Sequence, residues 1–229
     1  MHGKPLMHCA ILAAGEGARL GSLGPKPLLR LGGRSLLERL SGMLAAEGGE
    51  VSAVVSETLT PMPLIEGVRA ISTGSALESL EKLLAPIPAG EKVAVFTVDS
   101  VFSAAALAEF LRRFEALPAG ACLMGVTRFI DDEKPLYVAP EAGRIADFPR
   151  EGTTDWVSAG VYGLSPEARE ILAEQRAKGE TDLSEYQRAL CAAGVPLMTF
   201  DMGTVVDLDR PHDLEVAREL FEKEEDGCR

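Results

Sequence analysis

The chain contains 229 residues, of which 46% are hydrophobic and 25% are charged, as is usual for a soluble globular protein. This length predicts a single domain spanning residues 1–229 with a sizeable core. The formal net charge of −12 at pH 7 argues against a general nucleic-acid-binding protein, which needs a basic surface. It argues equally against binding to an anionic membrane surface.

The sequence contains no apolar run of the roughly 18 residues that a membrane-spanning helix needs. The amino-terminal segment MHGKPLMHCAILAAGEG has a short apolar part that fits a first strand better than a signal peptide. The four cysteines, Cys9, Cys122, Cys191 and Cys228, show no C-x-x-C spacing. The first three lie in apolar stretches, which favours small core residues over disulfides or a metal site. We therefore expect a cytoplasmic protein.

The first predicted element is a buried strand at residues 7–13, and a glycine-rich loop follows it. Gly15 and Gly17 allow a tight turn that brings backbone N–H groups close to an anion. Arg19 and Lys26 can neutralise phosphate oxygens, Arg19 as a planar fork and Lys26 as a point charge. This combination predicts a site for a polyphosphate, although a plain turn carrying two surface cations remains an alternative.

Two other glycine-rich motifs fit this loop less well. A dinucleotide-binding fingerprint requires G-x-G-x-x-G, and its third glycine position is Leu20 here. A P-loop requires a Gly-Lys-Ser/Thr ending, which the sequence does not contain.

Strands and helices alternate along the rest of the chain. Ser35 with Glu38, and Asp182 with Glu185, form capping-box patterns, and Ser165-Pro166 is typical of a helix start. Apolar runs predict further strands at residues 51–55, 68–72, 93–98, 121–127 and 197–202. We expect a three-layer α/β/α fold with a mostly parallel central sheet and a small antiparallel excursion near residues 129–162.

Two later segments carry candidate site residues. Asp99 follows the strand at 93–98, and an acidic residue at the carboxyl end of a buried parallel strand points into the crevice where α/β sheets bind ligands. Gly74 and Ser75 precede a predicted helix at residues 77–84. Taken alone, the Gly74-Ser75 segment is more simply a helix cap, and capping of the next helix remains an alternative for Asp99.

The segments LAAGEGARLG and PKPLLRLGGRSLLERL resemble the signature of the nucleotidyltransferases with an NTP-transferase, GT-A-like fold. The family pattern is L-A-A-G-x-G-x-R, then P-K-P-L, then G-[KR]-x-[LM]-[LI]. The family includes sugar-1-phosphate nucleotidylyltransferases, inositol- and choline-phosphate cytidylyltransferases and molybdenum-cofactor transferases. The resemblance covers about residues 7–222 and implies a Rossmann-like, GT-A-like fold.

The resemblance also implies roles for individual residues. It implies catalytic roles for Arg19, Lys26 and Asp99, and a Mg²⁺ site on Asp99 and Asp207. The nucleotide-binding residues that it implies are Leu12, Ala13, Ala14, Gly15, Gly17, Arg19, Lys26, Gly74 and Ser75. The acceptor-binding residues that it implies are Arg150, Trp156, Ser158, Ala159 and Gly160.

This chain departs from the family pattern at two acceptor positions. Asp147-Phe148-Pro149-Arg150-Glu151 replaces the usual Glu-Lys-Pro, so Arg150 is expected to substitute for the acceptor-binding lysine or to lie at the surface. Ser158 occupies a position where the family often has Asn. Near the C-terminus, we expect Asp209 to cap a helix, and we do not expect His212 and Asp213 to bind a metal.

The predicted function is therefore nucleotidyl transfer from an NTP to a phosphorylated small molecule, such as a sugar-1-phosphate, with release of pyrophosphate. One alternative is a molybdopterin-, choline-, inositol- or phosphonate-type acceptor, which the two departures favour. Another is a non-catalytic nucleotide-binding relative. The sequence leaves the base, the acceptor, the pathway and the oligomeric state open.

Overall fold

The computed structural model describes residues 7–15, 23–129 and 135–222. Their strands are β1 His8–Ala13, β2 Arg30–Leu31, β3 Arg34–Ser35, β4 Glu50–Ser56, β5 Val68–Ile71, β6 Val93–Thr97, β7 Ser100–Val101, β8 Cys122–Thr127, β9 Ala139–Glu141, β10 Arg144–Asp147, β11 Val157–Leu164, β12 Leu197–Asp201 and β13 Val206–Asp207. Their helices are α1 Leu36–Ala46, α2 Ala76–Leu84, α3 Ala104–Ala116, α4 Pro166–Ala177, α5 Leu183–Ala192 and α6 Pro211–Ala217, with a 3-10 turn at Lys26–Leu28 and a π-helical turn at Arg218–Glu222. None of the helices in these ranges is long and apolar enough to cross a membrane.

Within these residues, nine strands form one sheet in the order β5-β4-β1-β6-β11-β8-β12-β10-β9. Strands β5, β4, β1 and β6 are parallel. Strand β11 then runs antiparallel to both of its neighbours, β6 and β8. Strands β8 and β12 are parallel, and β10 and β9 complete the sheet in antiparallel pairings.

The α/β fold is confirmed, but the sheet is more mixed than the sequence predicts. The predicted excursion near residues 129–162 is only partly separate from the main sheet. The β9–β10 hairpin does lie at the edge, whereas β11 lies at the centre between β6 and β8. Its long apolar run makes this possible, because a central strand is buried on both faces.

Alternation along the strands divides the core into two layers, one on each side of the sheet. In β6, Ala94 and Phe96 pack with α1, α3 and α6, whereas Val93 and Val95 pack with α2, α4 and α5. Successive side chains of a strand point to opposite faces, so one apolar strand supplies both layers. The three-layer prediction is confirmed.

The helix starts follow the local capping residues. The Ser35 hydroxyl accepts a hydrogen bond from the Glu38 N–H at 3.2 Å, and the Glu38 carboxylate accepts one from the Ser35 N–H at 2.7 Å. Asp182 caps α5 by accepting hydrogen bonds from the N–H groups of Ser184 and Glu185. The Glu185 side chain does not complete a second capping box and instead forms ion pairs with Arg150 and Arg188.

Candidate active site

Two adjoining cavities open at the carboxyl ends of β1 and β6, where parallel strands of α/β sheets generally bind ligands. The β1-side cavity, of about 560 Å³, is lined chiefly by the end of β1, the start of α2, the end of β6 and Lys26. The β11-side cavity, of about 230 Å³, is lined by the first half of β11 and by residues of α5 and β13. Thr97, Asp99 and Leu183 line both cavities and form the boundary between them.

The β1-side cavity collects most of the predicted nucleotide-binding residues. Its lining includes Leu12, Ala13, Ala14, Gly15, Lys26, Gly74 and Ser75. Gly17 and Arg19 lie outside the described residues. The Ser75 hydroxyl caps α2 by accepting a hydrogen bond from the Glu78 N–H at 3.2 Å. The segment at Gly74 and Ser75 therefore caps α2 and also lines the cavity.

Lys26 lies at the centre of the site and bridges two carboxylates. Its Nζ donates to Asp99 Oδ2 at 2.6 Å and to Asp209 Oδ1 at 2.7 Å, and its side chain is only 12% exposed. Burial alone would lower the pKa of Lys26, but the carboxylates of Asp99, Asp209 and Asp207 outweigh it and raise the pKa. The lysine is therefore a permanent cation at physiological pH.

The prediction that Asp209 caps a helix is wrong, because Asp213 performs that role. The buried Asp213 carboxylate accepts hydrogen bonds from the N–H groups of Asp209 at 2.8 Å and Arg210 at 2.6 Å. This leaves the Asp209 carboxylate directed to Lys26. His212 is exposed, and its ring lies 3.7 Å from Glu215 on its own helix.

Asp99 and Asp207 both line the β11-side cavity. Strands β7 and β13 pair so that Asp207 faces Ser100, and the Leu208 N–H donates to the Asp99 carbonyl at 3.0 Å. Residues 108 positions apart in sequence are thereby held side by side by backbone hydrogen bonds.

The donor set at this place fits Mg²⁺. Within the described ranges, no group of three or more His, Cys, Asp or Glu side chains is arranged to enclose a metal ion. Two carboxylates at a cavity wall are nevertheless what Mg²⁺ commonly uses, since it keeps several water ligands and binds substrate phosphates directly.

Three of the predicted acceptor-binding residues, Ser158, Ala159 and Gly160, line the β11-side cavity. Gly160 has a φ of +69°, and a Cβ atom there would lie 2.1 Å from Ser100 Oγ and 2.3 Å from Thr97 Oγ1. Those two hydroxyls hydrogen-bond each other at 2.7 Å. Only glycine therefore allows β11 to bulge this close to the end of β6.

The other two predicted acceptor-binding residues are not among the side chains that line the cavity. Trp156 packs against the core on the α2–α4–α5 side, and the Arg128 guanidinium lies 4.3 Å from the centre of its ring. Arg150 is 73% exposed and forms an ion pair with Glu185 at 3.0 Å. The structure thus places Arg150 at the surface, which is the second of the two expectations for this residue.

Sequence reasoning missed several polar residues of the β11-side cavity, among them Tyr162 and Gln187. The Ser158 hydroxyl lies 3.0 Å from the Tyr162 hydroxyl. Gln187 is buried on the inner face of α5, four residues after Leu183 and three before Leu190. The sequence does carry one signal for Gln187, because it is a polar residue at an apolar position of an amphipathic helix.

Comparison with known proteins finds relatives that match most of this chain. The sequence model of the MobA-like NTP transferase domain matches residues 9–178. The 2-C-methyl-D-erythritol 4-phosphate cytidylyltransferase of Parasynechococcus marenigrum is 32% identical over 94% of this chain and 97% of that protein. The bifunctional IPC transferase and DIPP synthase of Rubrobacter xylanophilus is 28% identical over 95% of this chain. The match spans 52% of that protein, so this chain covers about half the length of the bifunctional relative.

Solved structures share the fold. The inositol-1-phosphate CTP transferase from T. maritima superposes with a TM-score of 0.76 at 23% identity, over 93% of this chain and 94% of that one. A glucose-1-phosphate thymidylyltransferase described as putative, from Bacillus anthracis, superposes with a TM-score of 0.82 at 18% identity, over 94% and 95%. The fold, the arrangement of the site and the match over most of the chain lead to one conclusion: this protein belongs to the MobA-like NTP transferase family and is a nucleotidyltransferase.

Proposed function

We propose that this protein transfers a nucleotidyl group from an NTP to the phosphate of a small phosphorylated alcohol or sugar. The products are a nucleoside-diphosphate conjugate and pyrophosphate. The observation that carries the proposal is the pair of adjoining cavities that share Asp99, with Lys26 at their boundary. The β1-side cavity would hold the nucleotide, and the smaller β11-side cavity would hold the acceptor.

In this reaction, an oxygen of the acceptor phosphate attacks the α-phosphorus of the NTP. A new P–O bond forms while the bond from the α-phosphorus to the oxygen that bridges the α- and β-phosphates breaks. The leaving pyrophosphate keeps that electron pair. Because the attacking oxygen is already anionic, no side chain has to remove a proton. The protein instead has to hold two anions in line and reduce their repulsion.

Lys26 would stabilise the negative charge on the α-phosphate and on the leaving pyrophosphate. In the free protein its ammonium group is bound by Asp99 and Asp209, so nucleotide phosphates would compete with these carboxylates for it. Arg19, predicted from the sequence to assist in this role, lies outside the described residues.

Asp99 and Asp207 are proposed to hold Mg²⁺, which when bound would neutralise charge on both the nucleotide and the acceptor phosphate. Without such a cation, the carboxylates at the boundary would repel an incoming triphosphate. The backbone pairing of β7 with β13 would keep the two carboxylates in place without rearrangement. We also propose that the enzyme acts in the cytoplasm and has no nucleic-acid or membrane partner.

The names of the relatives narrow the search for substrates. CTP is a reasonable first nucleotide, because two of these relatives are named as a cytidylyltransferase and a CTP transferase. The acceptors to examine first are 2-C-methyl-D-erythritol 4-phosphate, inositol 1-phosphate and glucose 1-phosphate. Each of them is a phosphorylated compound that carries several hydroxyl groups.

The test begins with thermal unfolding of the wild type and Asp99→Asn in the presence of CTP, UTP, GTP, ATP or dTTP, with and without Mg²⁺. A nucleotide at about a hundred times its dissociation constant stabilises a protein by about 2.7 kcal/mol. We expect one nucleotide to stabilise the wild type in a Mg²⁺-dependent manner and to have a smaller effect on the variant.

The second stage supplies that nucleotide together with each acceptor and measures pyrophosphate release. Release that depends on both substrates supports the proposal. Mg²⁺-dependent nucleotide binding without pyrophosphate release from a broad acceptor panel would instead identify a non-catalytic relative.

A further inference from the structure

We propose that Gln187 recognises a hydroxyl group of the acceptor, and that the acceptor is consequently a phosphorylated polyol or sugar and not a phosphocholine-type compound. This inference rests on the proposed function and adds a specificity-determining residue to it. It starts from one unusual feature of the β11-side cavity, a buried amide oxygen that has no hydrogen-bond partner in the part of the chain that the structure describes.

Gln187 is 3% exposed, and its Oε1 atom is buried with no hydrogen-bond partner among the described residues. Buried side-chain polar atoms are normally satisfied, and an unsatisfied one opposes folding. Gln187 lines the cavity together with Tyr162, whose hydroxyl lies 3.0 Å from the Ser158 hydroxyl. The amide therefore lies at a cavity wall rich in hydroxyl groups, with its oxygen unsatisfied among the described residues.

The chemistry of the cavity indicates what would satisfy this oxygen. Of the described residues that line the β11-side cavity, Asp99 and Asp207 carry charge, and the remaining polar side chains are hydroxyls and the Gln187 amide. An acceptor phosphate would lie at the Asp99–Asp207 end, next to Lys26 and the proposed Mg²⁺. The neutral groups would then face the rest of the acceptor.

An amide oxygen accepts hydrogen bonds and cannot donate one, so its partner must carry a donor. A hydroxyl group of a sugar or polyol is such a donor, whereas the trimethylammonium group of phosphocholine has none. A site that hydrogen-bonds a substrate hydroxyl also rejects an analogue that lacks it, because the buried amide is then left unpaired. Gln187 would therefore select for a hydroxyl at one position of the acceptor.

A second explanation has to be separated from this one. Gln187 also borders a void of about 20 Å³ with an apolar lining, which has room for about one water molecule. A water molecule held there would satisfy the amide oxygen permanently and would make Gln187 a structural residue. The two explanations differ in what they predict for acceptor kinetics and for stability.

The test compares Gln187→Met, which keeps the length of the side chain and removes the amide, with Gln175→Met on α4, the same change at the other glutamine of the chain. Pyrophosphate release is measured with inositol 1-phosphate, glucose 1-phosphate, 2-C-methyl-D-erythritol 4-phosphate and phosphocholine. The nucleotide is the one that stabilises the wild type. We expect Gln187→Met to lower kcat/KM for the best acceptor about tenfold or more.

The KM for the nucleotide should stay within about twofold of the wild-type value, and Gln175→Met should match the wild type, because a neutral surface change leaves both sites intact. A series of acceptors that each lack one hydroxyl then locates the contact. The acceptor that lacks the hydroxyl contacted by Gln187 should give the same kcat/KM with the wild type and with Gln187→Met. The free Gln187→Met protein should be at least as stable as the wild type.

Each contrary outcome has a distinct meaning. Unchanged acceptor kinetics in Gln187→Met, or a wild-type preference for phosphocholine, overturns this inference while the nucleotidyltransferase function stands. A large loss of stability in the free Gln187→Met protein with no acceptor-specific kinetic effect identifies the structural-water explanation. Absence of product from the wild type with every acceptor contradicts the proposed function itself and removes this inference with it.

Discussion

The Lys26 ammonium nitrogen lies 2.7 Å from Asp209 Oδ1, although 183 positions separate the two residues in the sequence. The same nitrogen lies 2.6 Å from Asp99 Oδ2, and the Asp207 carboxylate is close enough to raise the pKa of Lys26. In the part of the site that the structure describes, three carboxylates thus surround one ammonium group. This excess of negative charge would repel an incoming nucleoside triphosphate and would attract a divalent cation.

The role of Asp209 can be tested with Asp209→Asn, which keeps the size of the side chain and removes its charge. We expect kcat to fall about tenfold, because Lys26 loses one of the two carboxylates that hold it in position. The KM for the nucleotide should change less than kcat. Steady-state kinetics with the best nucleotide and acceptor measure both values.

The control for Asp209→Asn is Asp147→Asn, the same change at an exposed residue of β10, away from both cavities. Asp147→Asn should retain wild-type kinetics. If Asp209→Asn also retains wild-type kinetics, the contact with Lys26 has no part in the reaction.

Asp207→Asn is expected to lower kcat on the order of a hundredfold, because it removes one of the two carboxylates proposed to hold Mg²⁺. The dependence of the rate on Mg²⁺ concentration should shift to higher concentrations. The Mg²⁺-dependent part of the thermal stabilisation by nucleotide should also decrease, which provides a measurement independent of turnover. An unchanged Mg²⁺ dependence in both measurements would remove Asp207 from the proposed metal site.

Gly160→Ala is expected to lower the free energy of unfolding by about 3 kcal/mol or more, because the new Cβ combines a left-handed backbone with severe overlap. The overlap involves Ser100 Oγ and Thr97 Oγ1, which would lie 2.1 Å and 2.3 Å away. Urea unfolding followed by circular dichroism provides the measurement.

The matched control is Gly194→Ala, because Gly194 also has a positive φ, +76°, and its Cβ would meet no described atom within 4 Å. It should lose only about 1–2 kcal/mol, the cost of the left-handed backbone alone. Equal losses at the two positions would show that β11 can move away from Thr97 and Ser100.

Burial of Cys9 predicts a pH dependence of stability. Desolvation raises the pKa of the Cys9 thiol from 9.0 to about 12, so the folded protein keeps a proton that the unfolded chain loses. The contribution of Cys9 to stability is therefore complete below pH 9 and declines as the pH rises from 9 towards 12. Between pH 8 and pH 10 the loss should be about 1 kcal/mol.

The measurement compares urea unfolding at pH 8 and pH 10, under reducing conditions, for the wild type and Cys9→Ala. Cys9→Ala loses packing at both pH values, so the two proteins are compared by the difference between their free energies of unfolding at pH 8 and pH 10. That difference should be smaller in Cys9→Ala. An identical difference in both proteins would mean that the Cys9 thiol titrates normally in the folded state.

Local features of this protein could be predicted from the sequence because their causes lie within a few residues. The Ser35–Glu38 capping box and the Asp182 cap each join residues that are at most three positions apart. The apolar run of β6 and the position of Asp99 two residues after its end also follow from adjacent residues. Much of the β1-side cavity, the proposed nucleotide site, belongs to this class, since Leu12 to Gly15 and Gly74-Ser75 each form one continuous segment.

The tertiary structure alone decided the contacts that cross the sheet. The sequence contains two aspartates, Asp209 and Asp213, at the start of α6, and either could cap it by local criteria. Asp213 takes the cap, and the Asp209 carboxylate reaches Lys26, because the β7–β13 pairing brings this segment to the carboxyl end of β6. No local pattern could have indicated which of the two would face the lysine.

The same reason explains Arg150, Gln187 and the central position of β11. The sequence is compatible with an Arg150 side chain in the cavity, but in the fold Arg150 forms an ion pair with Glu185 at the surface. Gln187 lines the β11-side cavity only because β11 inserts antiparallel between β6 and β8 and carries Tyr162 towards α5. Hydrophobic periodicity determines which face of a segment is buried, whereas the identity of its neighbour depends on strand order, which is a property of the whole chain.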